Sequence, residues 1–427
     1  MKKIKLTQFV KIDFTTPQDQ NFKFGYYNFC PLDKSGTKLL AHKIGFNYRE
    51  PTSNDVVEIG YFSIKENKWY KLTETKTFNW QQGSMLQWLG PDFSRKIIFN
   101  DYHEGKYLSK IFDIQTKKIK IIPFPIYAVD KEAKLALALD FERLFWTRGY
   151  SYYNIKNNEL NRKIYKDESI YKINLEEGDI TKIITISDII SLTKNVLNDS
   201  DSHWFEHIQL NPNSNRFSFY YRYGTGDSFQ TKIFTSDING KNIWQHPSKS
   251  DSLYSHLGWR SETEYVLFTY PRSNIGKLYD KRIKSNNLSL FYSLYKLFLR
   301  PLIPQKLKTI AEGNKMYQLT EDKKSILKNL DSDLLSKDGH PSFTKNGRFM
   351  LSDTYSDKDS FRHLYIHDMN NNKTIKLAKF NSVANNCDWR TDLHPRFSMD
   401  EKKIIIDSNH NGKTQMLVLT IEWDKIL

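Results

Sequence analysis

An all-β chain closed into a seven-bladed β-propeller, with one amphipathic helix inserted, is the fold this sequence predicts. Three observations lead there. Four stretches share one layout, three weaker copies lie upstream of them, and the intervening chain reads as short strands cut by turns.

In Arg390–Gly412, His394 is followed at +3 by Phe397, then by a polar turn, and an apolar β-branched run starts at +10 with Ile404. His207 leads in the same way to Leu210 and Phe217, His256 to Trp259 and Val266, and His340 to Phe343 and Met350. One histidine before a strand means little; four in register mark a repeat with a chosen residue at one structural position. The weaker copies are Tyr26–Leu40, Leu86–Asn100 and Pro125–Leu139, which makes seven, anchored near Phe29, Trp88, Ala128, Leu210, Trp259, Phe343 and Phe397. The shorter intervals between anchors suit a four-stranded blade. Outer strands are legible at Val57–Ile64, Lys68–Leu72, Lys110–Asp113, Lys118–Ile122, Lys232–Ser236, Leu364–His367, Lys373–Leu377 and Met416–Glu422. A strand near Thr7–Phe14 is expected to complete the last blade beside Met416–Glu422, since a closed ring leaves no long unpaired edge. The chain, 1–427, is read as a single propeller domain.

Two insertions break the regularity. Arg148–Asn195 holds Tyr150, Tyr152 and Tyr153, a strand near Ser169–Asn174 and the turn Glu176–Asp179. The second, 274–314, contains the clearest helical pattern, 288–300. Ser289, Ser293, Lys296 and Arg300 form a narrow polar stripe there, large apolar residues fill the rest, and Pro301 ends it. That helix is too short to span a bilayer. Its basic flanks fit an anionic membrane surface, but apolar helices bury against protein more often than against lipid, so a position against the propeller or a second subunit is the first expectation.

Composition narrows the function classes. The net charge of +15 is uneven: Arg272–Lys315 holds ten Lys or Arg against Asp280 and Glu312. With the basic excess in an insertion, and no basic stripe interleaved with aromatics on the propeller body, nucleic-acid binding is not expected. Cys30 and Cys387 lie far apart in no C-x-x-C pattern, which excludes a disulfide framework and a zinc knuckle. The first residues, MKKIKLTQFVKIDF, alternate apolar and polar and form no apolar signal core, so a cytoplasmic location is expected, with a peripheral position at the membrane's inner face as the variant that 288–300 allows. Phosphate-binding and dinucleotide loops, a Gly-x-Ser-x-Gly elbow and a His-Glu-x-x-His helix are all absent from the sequence.

Under a propeller fold the first residues of the innermost strands converge at one mouth of the central channel. His207, His256, His340 and His394 are therefore expected to meet there, as ligands for a divalent metal or as bases near neutral pH. Asp392 lies two residues before His394, so in extended chain both side chains point one way and can chelate one ion, and Arg390 continues that face. Tyr221 and Arg222, at the end of one strand, and Lys232, on the next, are candidates to hold an anion; Asp353 and Tyr355 take the corresponding place two blades later.

His207-Ile-Gln-Leu-Asn-Pro212, Lys232–Gly240, Ser255-His-Leu-Gly-Trp259, Asp338-Gly-His-Pro-Ser-Phe343 and His394-Pro-Arg-Phe-Ser398 resemble the oligogalacturonate-lyase type of seven-bladed propeller, itself similar to the TolB-like propellers. The likeness covers Glu206–Gln415. It implies β-elimination on a uronate, with a manganese-like ion held by histidines at the channel mouth. By motif, His256 corresponds to the catalytic histidine, and His340 and His394 to metal ligands. The sequence departs from the family where Asp392 replaces the partner histidine of a His-x-His pair and where Lys232 replaces an arginine; Arg222 is the candidate to supply that guanidinium. The expectation is thus a metal-assisted (Mn²⁺) lyase acting on an acidic oligosaccharide or polysaccharide, with His256, Arg222 and Lys232 in the chemistry, Arg390, Tyr221, Asp353 and Tyr355 on the substrate, and His207, His340, Asp392 and His394 on the metal. The alternative is a non-catalytic propeller, a scaffold or glycan-binding protein of a membrane-associated polysaccharide system.

Overall fold

The computed structural model describes residues 3–147, 152–153, 168–193, 202–225, 228–247, 253–270, 315–330, 332–383, 387 and 389–427. Seven antiparallel sheets succeed one another along them, each built outward from the channel, and together they form a seven-bladed propeller. The innermost strands are Asn21–Lys23, Gln87–Trp88, Ala128–Val129, Ser202–Leu210, Leu253–Trp259, Ser342–Phe343 and Arg396–Phe397.

The N-terminus closes the ring. Val10–Thr15 pairs with Gln415–Ile421 as the outermost strand of blade seven, as the sequence suggests. Ile4–Leu6 then adds a fifth strand to blade six beside Lys373–Asn381, which the sequence does not announce.

Each sheet is apolar on both faces because it is sandwiched between two others. In blade seven, Ile404 and Ile406 pack with Leu351 and Ile366 of blade six, while the intervening Ile405 packs with Phe14, Phe22 and Leu39 on the other side. This is why the blade strands read as continuous apolar runs instead of alternating ones. The turn after each innermost strand also repeats. The backbone N–H groups of Asp33, Asp130, Asn211, Thr344 and Ser398 donate to a carbonyl five residues on. Side-chain oxygens of Asp33, Asp130 and Asn211 accept two turn N–H groups each. In blade one this pattern, and the bridge Leu32 to Leu39, put Leu32 at the place of Phe397. The anchor is therefore three residues beyond Phe29.

The first insertion is shorter than the sequence suggests. Ser169–Asn174 and Ile180–Thr185 are the third and fourth strands of blade three, so only the chain between Ala138 and Ser169 interrupts it, beginning with helix Phe141–Thr147. The 274–314 segment and its expected helix 288–300 lie outside the described residues. Its described flanks, Glu264–Tyr270 and Met316–Glu321, pair as neighbouring strands of blade five. Among the described residues no helix is long and apolar enough to cross a membrane.

Candidate active site

Irregularities in the innermost strands aim the histidines. The ladder of Ser202–Leu210 slips between Glu206 and Gln209, around His207, and that of Leu253–Trp259 slips between Tyr254 and Leu257, around His256. His207 and His394 adopt left-handed backbone, with φ of 52° and 44°. Such β-bulges re-aim a side chain and interrupt pairing. A non-glycine residue held this way stores about 1–3 kcal/mol, which the surrounding sheet must offset.

His256, His340 and His394 form a contiguous row, with ring centroids 4.1 Å apart in the first pair and 4.2 Å in the second. In His340, Nδ1 donates to Asp353 Oδ1 at 2.8 Å; in His394, Nδ1 donates to the Gly25 carbonyl at 2.7 Å. Both partners can only accept, so the proton sits on Nδ1 and the lone pair on Nε2. Burial pushes both imidazoles below the usual histidine range, His394 far below it with His340 adding to the effect, which keeps them in the neutral form a metal requires.

Asp392 completes a buried group of three whose ligand atoms all lie within 4.8 Å of one another. Burial alone would raise its carboxyl, but Arg362 and Arg390 overcome this and hold it well below the carboxylate range. Arg362 Nη1 bonds one oxygen and Arg390 Nε bonds the other at 3.1 Å. Two oriented imidazoles and one ionised carboxylate suit a hard or borderline divalent ion, and the anchored Nδ1 atoms are the outer shell such sites use.

The row opens into a cavity of about 390 Å³ whose walls include Gln81, Gln82, Tyr220, Arg222, Tyr270, Tyr355 and Arg390. At one side His256 Nδ1 lies 3.1 Å from Asp338 Oδ1, and Tyr270 donates to Asp338 Oδ2 at 2.6 Å. Burial opposes ionisation of Asp338, yet the His256 ring and hydrogen bonds from His256, Ser255 and Tyr270 keep its carboxyl below the usual range. His256 is thereby fixed with Nε2 as acceptor, the arrangement of an oriented general base.

Several expected residues take other places. His207 lines the cavity but lies outside the group of three; its Nδ1 is 2.6 Å from Tyr26 Oη, and the Tyr26 ring stands between it and His394. Tyr221 faces away, packing with Phe205 and Phe234 and bonding His203 Nδ1 at 2.6 Å. Lys232, opposite Tyr221 in the ladder, lies over Tyr223 on that same far face, whereas Arg222 and its cross-strand partner Thr231 reach the cavity. Asp353 is fully buried behind the row, where it accepts the backbone N–H groups of His340 and His394 besides the His340 ring, so it orients the histidines. Arg222, Arg390 and Tyr355 do line the cavity, with Arg222 ion-paired to buried Glu206.

Other participants escape the sequence reading. Tyr26 and Tyr27, fully buried side by side, pack against the histidines and separate this cavity from one at the opposite mouth. Their one signal is the preceding Gly25, whose φ of 134° and approach to the Gln82 carbonyl leave no space for a side chain. Gln82 follows from a loop that Asn79 pins through hydrogen bonds to the Gln81 and Gln82 N–H groups.

Among solved structures, oligogalacturonate lyase from Vibrio parahaemolyticus superposes with a TM-score of 0.64, covering 98% of this chain and 96% of its own at 13% identity. An oligogalacturonate lyase in complex with manganese gives 0.65 at 15% identity, covering 99% and 97%. The chain shares its fold with oligogalacturonate lyase. TolB from Acinetobacter baumannii, also a seven-bladed propeller, matches at 0.39 and 11% identity over 90% of this chain and 80% of its own. No family model and no curated protein match the sequence.

Proposed function

We propose that this protein is a metal-assisted lyase that cleaves an acidic, uronate-containing saccharide by β-elimination at the channel mouth. The observation that carries the reading is the adjacency, in one cavity, of an Asp338-oriented His256 and the His340, Asp392, His394 group. The likeness to a propeller lyase solved with manganese supports it.

The proton beside a sugar carboxylate is weakly acidic, so its removal needs a base and compensation of the charge that develops. His256 Nε2 takes the proton, and Asp338 stabilises the imidazolium that forms. Arg390 and Arg222, at the cavity wall, orient the substrate carboxylate; Arg222 fills the role that Lys232, on the far face, does not. Tyr355 and Tyr270 offer ring faces to the sugar. A divalent ion, manganese by preference, held by His340, Asp392 and His394 supplies Lewis-acid stabilisation of the carboxylate as it gains charge. Cys30 and Cys387, neither of them in a disulfide, fit a reducing, cytoplasmic compartment, and the 274–314 segment is proposed as an appendage to a single propeller domain.

The test is the ultraviolet absorbance of an unsaturated uronate product from oligogalacturonate with added Mn²⁺. Wild type should turn over, and His256→Ala should lose about 10²–10⁴-fold, the usual worth of an acid–base residue. A His256→Ala enzyme as fast as wild type, or a wild type inert with every divalent ion, overturns the reading.

A further inference from the structure

We propose that Thr231 is a specificity-determining residue of this site: its buried hydroxyl and the Nε–H of Arg222 together seat a carboxylate of the substrate, so that the free acid is accepted in preference to its methyl ester. The role rests on the lyase reading. It extends that reading from the residues that act on the sugar to one that selects it.

Thr231 stands directly opposite Arg222 in the ladder between Arg216–Thr225 and Ser228–Asp237. Opposite residues of an antiparallel pair project from the same face, with Cβ atoms about 5 Å apart. That face is turned to blade five, because Tyr220 and Ile233, the next pair along it, pack with Tyr254 and Leu257. Both side chains line the cavity, and Phe229, Leu253 and Tyr254 line it beside them.

Thr231 is 3% exposed, and its Oγ1 has no hydrogen-bond partner among the described residues. Nε of Arg222 is buried without one as well, although Nη1 pairs with Glu206. A buried polar atom left unpaired destabilises a fold, and native structures keep few of them. Valine would fill the same β-branched shape between Phe229 and Ile233 and leave no hydroxyl unpaired. The fold thus keeps a group that weakens it, the pattern expected where side chains await a ligand.

The two donors define what fits. Arg222 Nε can only donate, so the ligand atom it meets is an acceptor, and the Thr231 hydroxyl can donate to a second oxygen beside it. A carboxylate offers two acceptor oxygens in one plane and a charge that strengthens both bonds. The guanidinium is oriented for this: its carbon lies 4.8 Å from the Phe229 ring centroid and 5.5 Å from that of Tyr220, and Glu206 holds Nη1. Because Glu206 balances the charge of Arg222, the direction of two hydrogen bonds does more of the selecting than net charge does. A methyl ester carries no charge and places a methyl group where one donor points, which leaves a buried N–H or O–H unpaired. Sites built to hydrogen-bond a group reject its analogues in this way.

The test compares trigalacturonate with its methyl ester, in the presence of Mn²⁺, by titration calorimetry in a His256→Ala background that does not consume the ligand. Adding Thr231→Val should weaken binding of the free acid roughly 10–100-fold, the worth of one hydrogen bond to a charged group, and binding of the ester less, so that the preference for the acid shrinks roughly 5–10-fold. Thr231→Ser keeps the hydroxyl and should stay within about threefold of the parent. In urea, Thr231→Val should unfold at a higher midpoint than the parent, because an unpaired hydroxyl is gone. A less stable Thr231→Val protein would show a hydroxyl bonded within the fold, and unchanged binding, equal losses on acid and ester, or Thr231→Ser as weak as Thr231→Val would show a residue that does not select. Each of these overturns the proposal. Failure of the lyase reading alone looks different: the wild type forms no unsaturated product, while the acid still binds with this dependence on Thr231. A protein that binds neither ligand overturns both.

Discussion

Replacing Asp353 by asparagine separates its role as an organiser from that of a substrate contact. The carboxylate serves three donors: His340 N and Nδ1 at 2.8 Å each on Oδ1, and His394 N at 3.2 Å on Oδ2. Hydrogen bonds to a charged acceptor contribute about 1.5–3 kcal/mol each, and a buried donor left unpaired costs a similar amount. An asparagine oxygen kept on the His340 pair turns its amide N–H groups toward the His394 N–H. One charged bond is lost and the other two become neutral, for roughly 2–4 kcal/mol in folding stability. The change also makes His340 a weaker ligand, and outer-shell losses of this kind typically cost 10–100-fold in metal affinity. Urea unfolding and Mn²⁺ titration calorimetry read the two effects separately. A variant that binds Mn²⁺ like wild type, or loses less than about 0.5 kcal/mol, would refute the assignment of Asp353 as the shared anchor of the two histidines.

Three further outcomes are expected. Tyr270→Phe removes one hydrogen bond to Asp338 and should lower kcat several-fold with little change in KM, at about 1 kcal/mol in stability, read by steady-state kinetics and urea unfolding. Arg362→Met leaves Asp392 with a single described guanidinium partner, Arg390, and should destabilise by about 3–5 kcal/mol, the usual cost of breaking a buried pair; a change under 1 kcal/mol would contradict it. Lys23 is fully buried, its Nζ has no hydrogen-bond partner among the described residues, and burial pushes it down to about 8 from 10.5. Between those values the unfolded chain binds the extra proton, so stability rises with pH across that window and the penalty is largest below pH 8. Lys23→Met should therefore stabilise by up to ~3 kcal/mol at pH 7 and progressively less toward pH 10.5; a gain that does not vary with pH would count against the buried amine as its source.

Much of the fold was legible because a blade repeats and a repeat amplifies weak signals. The four histidines stood out through identical offsets, and three of them form the row at the channel mouth. Strand alternation could have gone further: Tyr220 and Arg222 share one face and Tyr221 the other, so Tyr221 and Arg222 could not both have faced one cavity. Asp353 was misplaced for a different reason. A carboxylate at a strand end looks the same in sequence whether it faces ligand or backbone, and the three N–H groups that claim Asp353 come from segments 13 and 41 residues away. Tyr26, Tyr27 and Gln82 were out of reach because they stand on connecting segments of blades one and two, where no register ties them to the histidines of blades four to seven. Lys232 illustrates the limit of motif transfer, since likeness at one position carries no guarantee that the side chain points the same way.

The double attachment of the N-terminus also bears on the order of events at the ribosome. Strands near the start of this sequence pair with strands some 400 positions later, as in the bond from Gln415 to the Thr16 carbonyl across a separation of 399 positions. Blades two to four can assemble from contiguous chain as it emerges. Blades six and seven cannot complete their outer edges until Ile4–Leu6 and Val10–Thr15 return to them, and Gly25 holds His394 only when blade one meets blade seven. Ligand-competent histidines therefore appear late, after closure of a loop of 369 positions between Gly25 and His394, and such long-range closure is the slow class of folding step.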